Sequence, residues 1–179
     1  MSLRDVSMFY VLGEDPAHRS FVRSWLNANK IHPRRVFSIE PTAGKSGGVS
    51  FVLARCKATV EDAGRRDRVK AKTRVIIAID ADDATIEARQ SDITRAIEQG
   101  GSGDDLHLVC VLIPRRHMET WVHSLGSADA SVNEQDNYKP KATDAIIAAA
   151  RRLAGLQSGP TAPPSLVHGY EQLQRLKAM

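Results

Sequence analysis

The chain has 179 residues, of which 42% are hydrophobic and 26% charged, as expected for one α/β domain with a sizeable core. No apolar run approaches the roughly 18–20 residues of a membrane span, and the N-terminus lacks the order of a signal peptide, so we expect no membrane contact and a cytoplasmic location. The net charge of +4 is modest, but the six cations in the eleven residues Gly64–Arg74 are typical of a polyanion-binding surface and equally of a solvated helix face.

Strand and helix patterns alternate along the chain. The predicted strands are residues 6–12, 35–40, 75–79 and 106–114, and the predicted helices are residues 16–30, 49–63, 84–99, 116–125 and 141–156. This alternation predicts an α/β, Rossmann-like fold with a central, mostly parallel sheet of about four strands and helices on both faces. We expect residues 1–155 to form this domain, with residues 156–179 as a linker and a C-terminal helix that packs on it. Cys56 and Cys110 are interpreted as buried free thiols.

Carboxylates follow three of the predicted strands. Glu14 follows the first strand, Asp80, Asp82 and Asp83 follow the third in "DADD", and Glu119 follows the fourth. Functional groups of parallel sheets gather at the carboxyl ends of the strands, and clustered acids repel unless a cation lies between them. We therefore predict a Mg²⁺ or Mn²⁺ site formed by these five residues, because hard cations prefer carboxylate oxygens and the chain has no Cys/His set of zinc spacing.

An Asp-x-Asp after a strand is shared by several protein classes. Haloacid-dehalogenase phosphatases carry it on the first strand with Thr or Val two residues later, whereas Ala84 stands there in this chain. Sugar-nucleotide transferases use it to hold a diphosphate with Mn²⁺, but they need a nucleotide pocket where Glu14 stands. Capping of the following helix would explain Asp82 or Asp83, but not three acids in four residues.

The stretch "VLGEDPAHRSFVRSWL", combined with the later "DADD", resembles the Toprim family. Glu14 and Phe21 stand at the spacing of the family's Glu-Gly…Phe pattern. The chain departs from that pattern at Asp15, where the family prefers Gly, and at His18, where it prefers an acid. These departures leave a divergent or catalytically weakened member open.

A second segment, "LIPRRHMETWV", resembles the strand-Pro-…-Glu-x-Trp segment of small bacterial Toprim-like proteins related to overcoming-lysogenization-defect nucleases. Glu119 and Trp121 fit that segment. The resemblance implies a metal-dependent nuclease that acts on nucleic-acid phosphodiesters, with Glu14, Asp80 and Asp82 as its catalytic residues. It also implies a role in bacterial phage defence or in a toxin system.

Basic residues near the predicted site are candidates for contacts with phosphate. The loop "AGKSGG" contains Lys45 but is not a Walker-type phosphate loop, because Ile39 stands where the first Gly would be. The nucleic-acid-binding residues that we predict are Lys45, Arg115, Arg116, Lys139 and Lys141.

Two alternative functions come from other classes. One is a non-catalytic module that binds nucleic acid or a protein partner on a Toprim scaffold. The other is an Asp-x-Asp sugar-nucleotide transferase. The sequence leaves open DNA versus RNA, the oligomeric state and a partner protein such as an ATPase.

Overall fold

The structure is a computed structural model and describes residues 2–42, 47–99, 101, 103–126, 132–136, 138–139, 142–161 and 163–179. Within these residues it has four strands and six α-helices. In chain order they are β1 (Met8–Gly13), α1 (Pro16–Ala28), β2 (Val36–Ile39), α2 (Val49–Arg68), β3 (Thr73–Ala78), α3 (Ile86–Glu98), β4 (Val109–Leu112), α4 (Met118–Gly126), α5 (Thr143–Gly155) and α6 (Pro164–Ala178).

The sheet is parallel throughout, with the strand order β2-β1-β3-β4. Alternate residues of β3 face opposite sides of it. Ile76 and Ala78 belong to a core cluster completed by α1, α4, α5 and α6, whereas Val75 and Ile77 belong to a second cluster completed by α2 and α3. The predicted α/β fold with helices on both faces is therefore confirmed. Burial of both faces explains the nearly continuous apolar runs of β1, β3 and β4, whereas the edge strand β2 has no buried residue.

The direction in which the chain adds strands reverses between β1 and β3. The chain passes from β1 through α1 to β2, and then returns through α2 to β3 on the other side of β1. Helix α1 packs on one face and α2 on the other, as right-handed crossovers require. Open parallel sheets form a crevice at the carboxyl ends of the strands where the order reverses. Here that switch point lies between the ends of β1 and β3.

Two element boundaries differ from the sequence prediction by three residues or more. Helix α2 continues beyond residue 63 to Arg68, because Asp62 pairs with Arg65 and Arg66 one turn later and cations are favourable in a last turn. Strand β4 begins only at Val109, because the preceding segment Gly103–Leu108 forms a 3₁₀ helix. Both cysteines are buried and free, as predicted.

Helix α6 is bonded to the same core as the helices before it. The indole Nε1 of Trp121 in α4 donates to Ser165 Oγ at 2.8 Å, and the Arg175 guanidinium donates to the Val109 carbonyl of β4 at 2.6 Å. Leu166 and Leu173 are buried in the cluster that contains Trp121. Among the described residues, no helix combines the length and the apolar character that a membrane span requires.

Candidate functional site

Glu14 lies at the switch point and is bonded to the end of β3. Its backbone N–H donates to the Ala78 carbonyl at 3.0 Å, and its Oε2 accepts from the Asp80 N–H at 2.9 Å. The loop before α2 also rests on Glu14, because Gly48 N–H donates to its carbonyl at 3.0 Å. A Cβ atom at Gly47 would lie 2.2 Å from that carbonyl oxygen, so only glycine fits there.

His18 connects two carboxylates at the same place. Asp15 is the N-cap of α1, and its Oδ1 accepts from the His18 N–H at 3.0 Å and from His18 Nδ1 at 2.8 Å. The other ring nitrogen, Nε2, donates to Asp80 Oδ1 at 2.9 Å. Ionised carboxylates only accept hydrogen bonds, so both bonds form together with two such carboxylates only when the fully buried ring is an imidazolium.

The pKa values of this group agree with that assignment. Burial lowers the pKa of His18, but the charge of Asp80 and the hydrogen bonds to both carboxylates outweigh it and raise the pKa to about 10. For Asp15, burial raises the pKa, but the bond to His18 and its charge bring the value to about 2. His18 is therefore a positive charge inside the site at neutral pH.

The pKa of the Glu14 carboxyl shifts in the opposite direction to that of Asp15. Burial raises the pKa of its carboxyl, and the nearby charges of Asp80 and Asp82 add to the rise. The hydrogen bond from the Asp80 N–H and the charge of His18 offset only part of it. A carboxylate with a raised pKa is a better proton acceptor than an ordinary glutamate near neutral pH.

Each aspartate of the "DADD" stretch lies near a cation of this chain. Asp80 bonds His18, and Asp82 Oδ2 lies 3.9 Å from the Arg89 guanidinium. The third, Asp83, lies 3.5 Å from the Arg116 guanidinium. Positively charged side chains of the protein thus lie beside these acids. The sequence prediction had assigned this role to a metal ion.

Arg89 fixes the loop that carries these acids. Its nearly buried guanidinium donates to the backbone carbonyls of Asp80 and Ala81 at 3.0 and 3.2 Å. Asp82 has a left-handed backbone (φ 53°), a conformation that Asp tolerates better than most residues. Arg89 therefore fixes the backbone of the "DADD" loop from its buried side.

The donor set at the switch point could hold a metal ion. One ligand atom each of Glu14, His18 and Asp80 lie within 4.8 Å of one another, the single such group of three among the described residues. Glu14 Oε1 and Asp80 Oδ2 accept no hydrogen bond from any described residue, so each carboxylate retains an oxygen for a ligand. An imidazolium has no lone pair for a metal, so His18 orients Asp80 in this arrangement.

The other predicted ligands lie outside this group. Asp82 and Asp83 are 54% and 97% exposed and lie beside arginines, and Glu119 is in the first turn of α4. Of the predicted phosphate-contacting residues, Arg115 donates to the Ala84 carbonyl and Arg116 pairs with Asp83, so both lie at the carboxyl edge of the sheet. Lys139 is exposed after β4. The remaining two, Lys45 and Lys141, fall outside the described residues.

Two residues of the site were missed by the sequence prediction. His18 stands at the third helical position after the N-cap Asp15, where side chains reach back to the cap, and Asp-Pro-x-His signals this geometry. Arg89 lies in α3, one turn after the Thr85 N-cap, and nothing in the sequence distinguishes it from a surface arginine. Its role depends on tertiary structure.

Comparisons of the chain with family models, with curated proteins and with solved structures found no match.

Proposed function

We propose that the switch-point site binds Mg²⁺ or Mn²⁺ and cleaves phosphodiester bonds of nucleic acid, as a Toprim-like nuclease would. The observation that carries the proposal is the convergence of Glu14 and Asp80, with His18, within 4.8 Å at the ends of β1 and β3. Arg115 and Arg116 at the same edge offer positive charge to a polyanionic substrate.

In this proposal the residues of the site have distinct roles. When bound, the cation neutralises phosphate charge and polarises the scissile phosphorus–oxygen bond. Asp80 would hold it through its free oxygen. Glu14 would act either as a second ligand or as the base that takes a proton from the attacking water. His18 orients Asp80 through the hydrogen bond to its Oδ1.

The first test is stabilisation by the cation. A ligand that binds only the folded chain, at 100 times its Kd, raises the free energy of unfolding by about 2.7 kcal/mol. Thermal unfolding should show this rise with Mg²⁺ or Mn²⁺, and Asp80→Asn should remove most of it relative to its own metal-free state. Asp104→Asn, which changes an exposed carboxylate before β4, should keep it. A full shift in Asp80→Asn would contradict the metal site.

The second test is cleavage of single- and double-stranded DNA and RNA with either cation. Glu14→Gln should lower metal-dependent cleavage at least about 100-fold, because the amide cannot accept a proton. Binding should remain, since it depends mainly on basic side chains. Glu98→Gln, an exposed change at the end of α3, is the matched control. Undiminished cleavage by Glu14→Gln would place the chemistry elsewhere.

The His18 bridge favours a second candidate function, a non-catalytic module that binds nucleic acid or a protein partner. Because the aspartates lie near cations of their own, the fold needs no metal ion to hold them together. Salt-sensitive nucleic-acid binding, with neither cleavage nor stabilisation by a cation, would support this candidate.

A further inference from the structure

An exposed aromatic ring lies on the edge strand of the sheet. Phe37 of β2 is 59% exposed, whereas its register partner Tyr10 in β1 is buried. The two ring centroids are 5.9 Å apart in an edge-to-face arrangement. Tyr10 therefore supports the Phe37 ring from inside the protein, and the ring remains accessible from outside.

Positive charge surrounds this aromatic pair. The Arg66 guanidinium lies 5.9 Å from the centroid of the Tyr10 ring. Arg65 and Arg66 share a single carboxylate, that of Asp62, which also accepts the Tyr10 hydroxyl. The surroundings of the two rings are thus cationic on balance.

A second exposed apolar side chain directly follows α2. Val69 is 75% exposed, is the C-cap of α2 and donates its backbone N–H to the Arg66 carbonyl at 3.2 Å. Phe37 and Val69 are the two exposed large hydrophobic side chains of the described residues. Of the two, Phe37 is the aromatic one and the one that lies beside cationic side chains, an arrangement typical of surfaces on which nucleic-acid bases stack.

We infer that this surface binds single-stranded nucleic acid. The surface, which we call the aromatic–basic patch, consists of Tyr10, Phe37, Arg65 and Arg66. An unpaired base stacks on the Phe37 ring, and neighbouring phosphates contact the two arginines. A duplex conceals the faces of its bases, so the exposed ring selects for single strands.

The patch shares no residue with the switch-point site, so this inference does not depend on the proposed nuclease activity. Phe37 is level with Tyr10, which precedes Glu14 by four residues of β1. The patch and the site are therefore about 13 Å apart along the strand. That distance corresponds to about four nucleotides of a B-form strand.

The test is fluorescence anisotropy of a labelled oligothymidylate of about 12 nucleotides, measured with the full chain in EDTA at several salt concentrations. Phe37→Ala should weaken binding about 10-fold without changing the salt dependence, because it removes one stacked base. Arg65→Ala/Arg66→Ala should reduce the slope of log K against log salt by about 1.4, the value for two phosphates on a single strand. Phe37→Trp should bind at least as tightly as the parent.

Arg95→Ala, which removes an exposed cation of α3, is the matched control and should have a smaller effect on the slope than the double variant. Equal affinity of Phe37→Ala and the parent would overturn the inference, as would tighter binding to the matching duplex than to the single strand. Loss of self-association in Phe37→Ala, measured by light scattering with oligothymidylate binding unchanged, would assign the patch to a second copy of the chain. Because cleavage is not measured, a failed nuclease test leaves this result standing.

Discussion

The His18 imidazole lies between two carboxylates, so its protonation is coupled to folding. Its pKa is raised from 6.5 to about 10, and the stability that this gives is fully present below pH 6.5 and is lost as the pH rises towards 10. Asp15 acts in the opposite pH range. Its pKa is lowered from 3.8 to about 2, so its contribution is present above pH 3.8 and is lost as the pH falls to 2.

Replacement of His18 should therefore change the alkaline limb of the stability curve. In metal-free buffer at pH 6, His18→Gln should lower the free energy of unfolding by about 3 kcal/mol, because the buried Asp80 carboxyl loses the imidazolium that it pairs with. Between pH 6.5 and 10 the parent should lose more stability than the variant. Urea unfolding across this range measures both effects. The exposed His107→Gln is the matched control, and an identical pH dependence of parent and His18→Gln would contradict the coupling.

At the scale of elements, the loop before α2 is positioned by close contact between backbones. Gly47 approaches the Glu14 carbonyl, and Gly48, at φ 100°, begins a helix that has no side-chain cap. The loop and the end of β1 are therefore one structural unit. Displacement of either moves the catalytic carboxylate that we propose.

Gly47→Ala should lower the free energy of unfolding by about 1–3 kcal/mol, as overpacking usually does. It should also weaken the stabilisation by Mg²⁺, because Glu14 must shift to admit the methyl group. Gly155→Ala is the matched control, since its Cβ meets no atom within 4 Å and helical alanine stabilises by about 0.5–1 kcal/mol. Equal effects of the two substitutions on urea unfolding would show that the approach to Glu14 is unimportant.

The sequence was sufficient to predict the helices and strands and the two carboxylates at the switch point, but not the cationic side chains beside them. The apolar runs and the carboxylates after them placed Glu14 and Asp80 at neighbouring strand ends, because parallel strands align their carboxyl ends. It could not show which cation meets which acid. His18 and Arg89 reach Asp80 from two different helices, and the direction of a side chain across a gap depends on packing that periodicity does not encode.

At the scale of the whole molecule, α6 is part of the cooperative unit. Trp25 of α1 and Trp121 of α4 lie in the core cluster that also contains leucines of α6. A Cβ atom at Gly169 would lie 2.2 Å from the Trp121 ring, so the last helix packs directly against the indole. We expect tryptophan fluorescence and circular dichroism to report one coincident unfolding transition.

The bond between Trp121 and Ser165 tests this unity. Ser165→Ala should cost about 1–3 kcal/mol, because it leaves the buried indole N–H without an acceptor. In a Trp121→Phe background, which has no such N–H, the same substitution should cost less. A double-mutant cycle by urea unfolding measures the difference, and a coupling energy below about 0.5 kcal/mol would show that α6 is held by other contacts.

The separation of Glu14 and Asp80 in the sequence also determines when the switch-point site can form during synthesis. Glu14 and Asp80 are 66 positions apart and meet only when β1 pairs with β3. A ribosome that adds 5–20 residues per second delivers Asp80 roughly 3–13 s after Glu14. His18 is synthesised before Asp80. At neutral pH its ring is largely uncharged until the Asp80 carboxylate is present to stabilise the protonated form. A chain released before residue 80 therefore carries only the first half of the site.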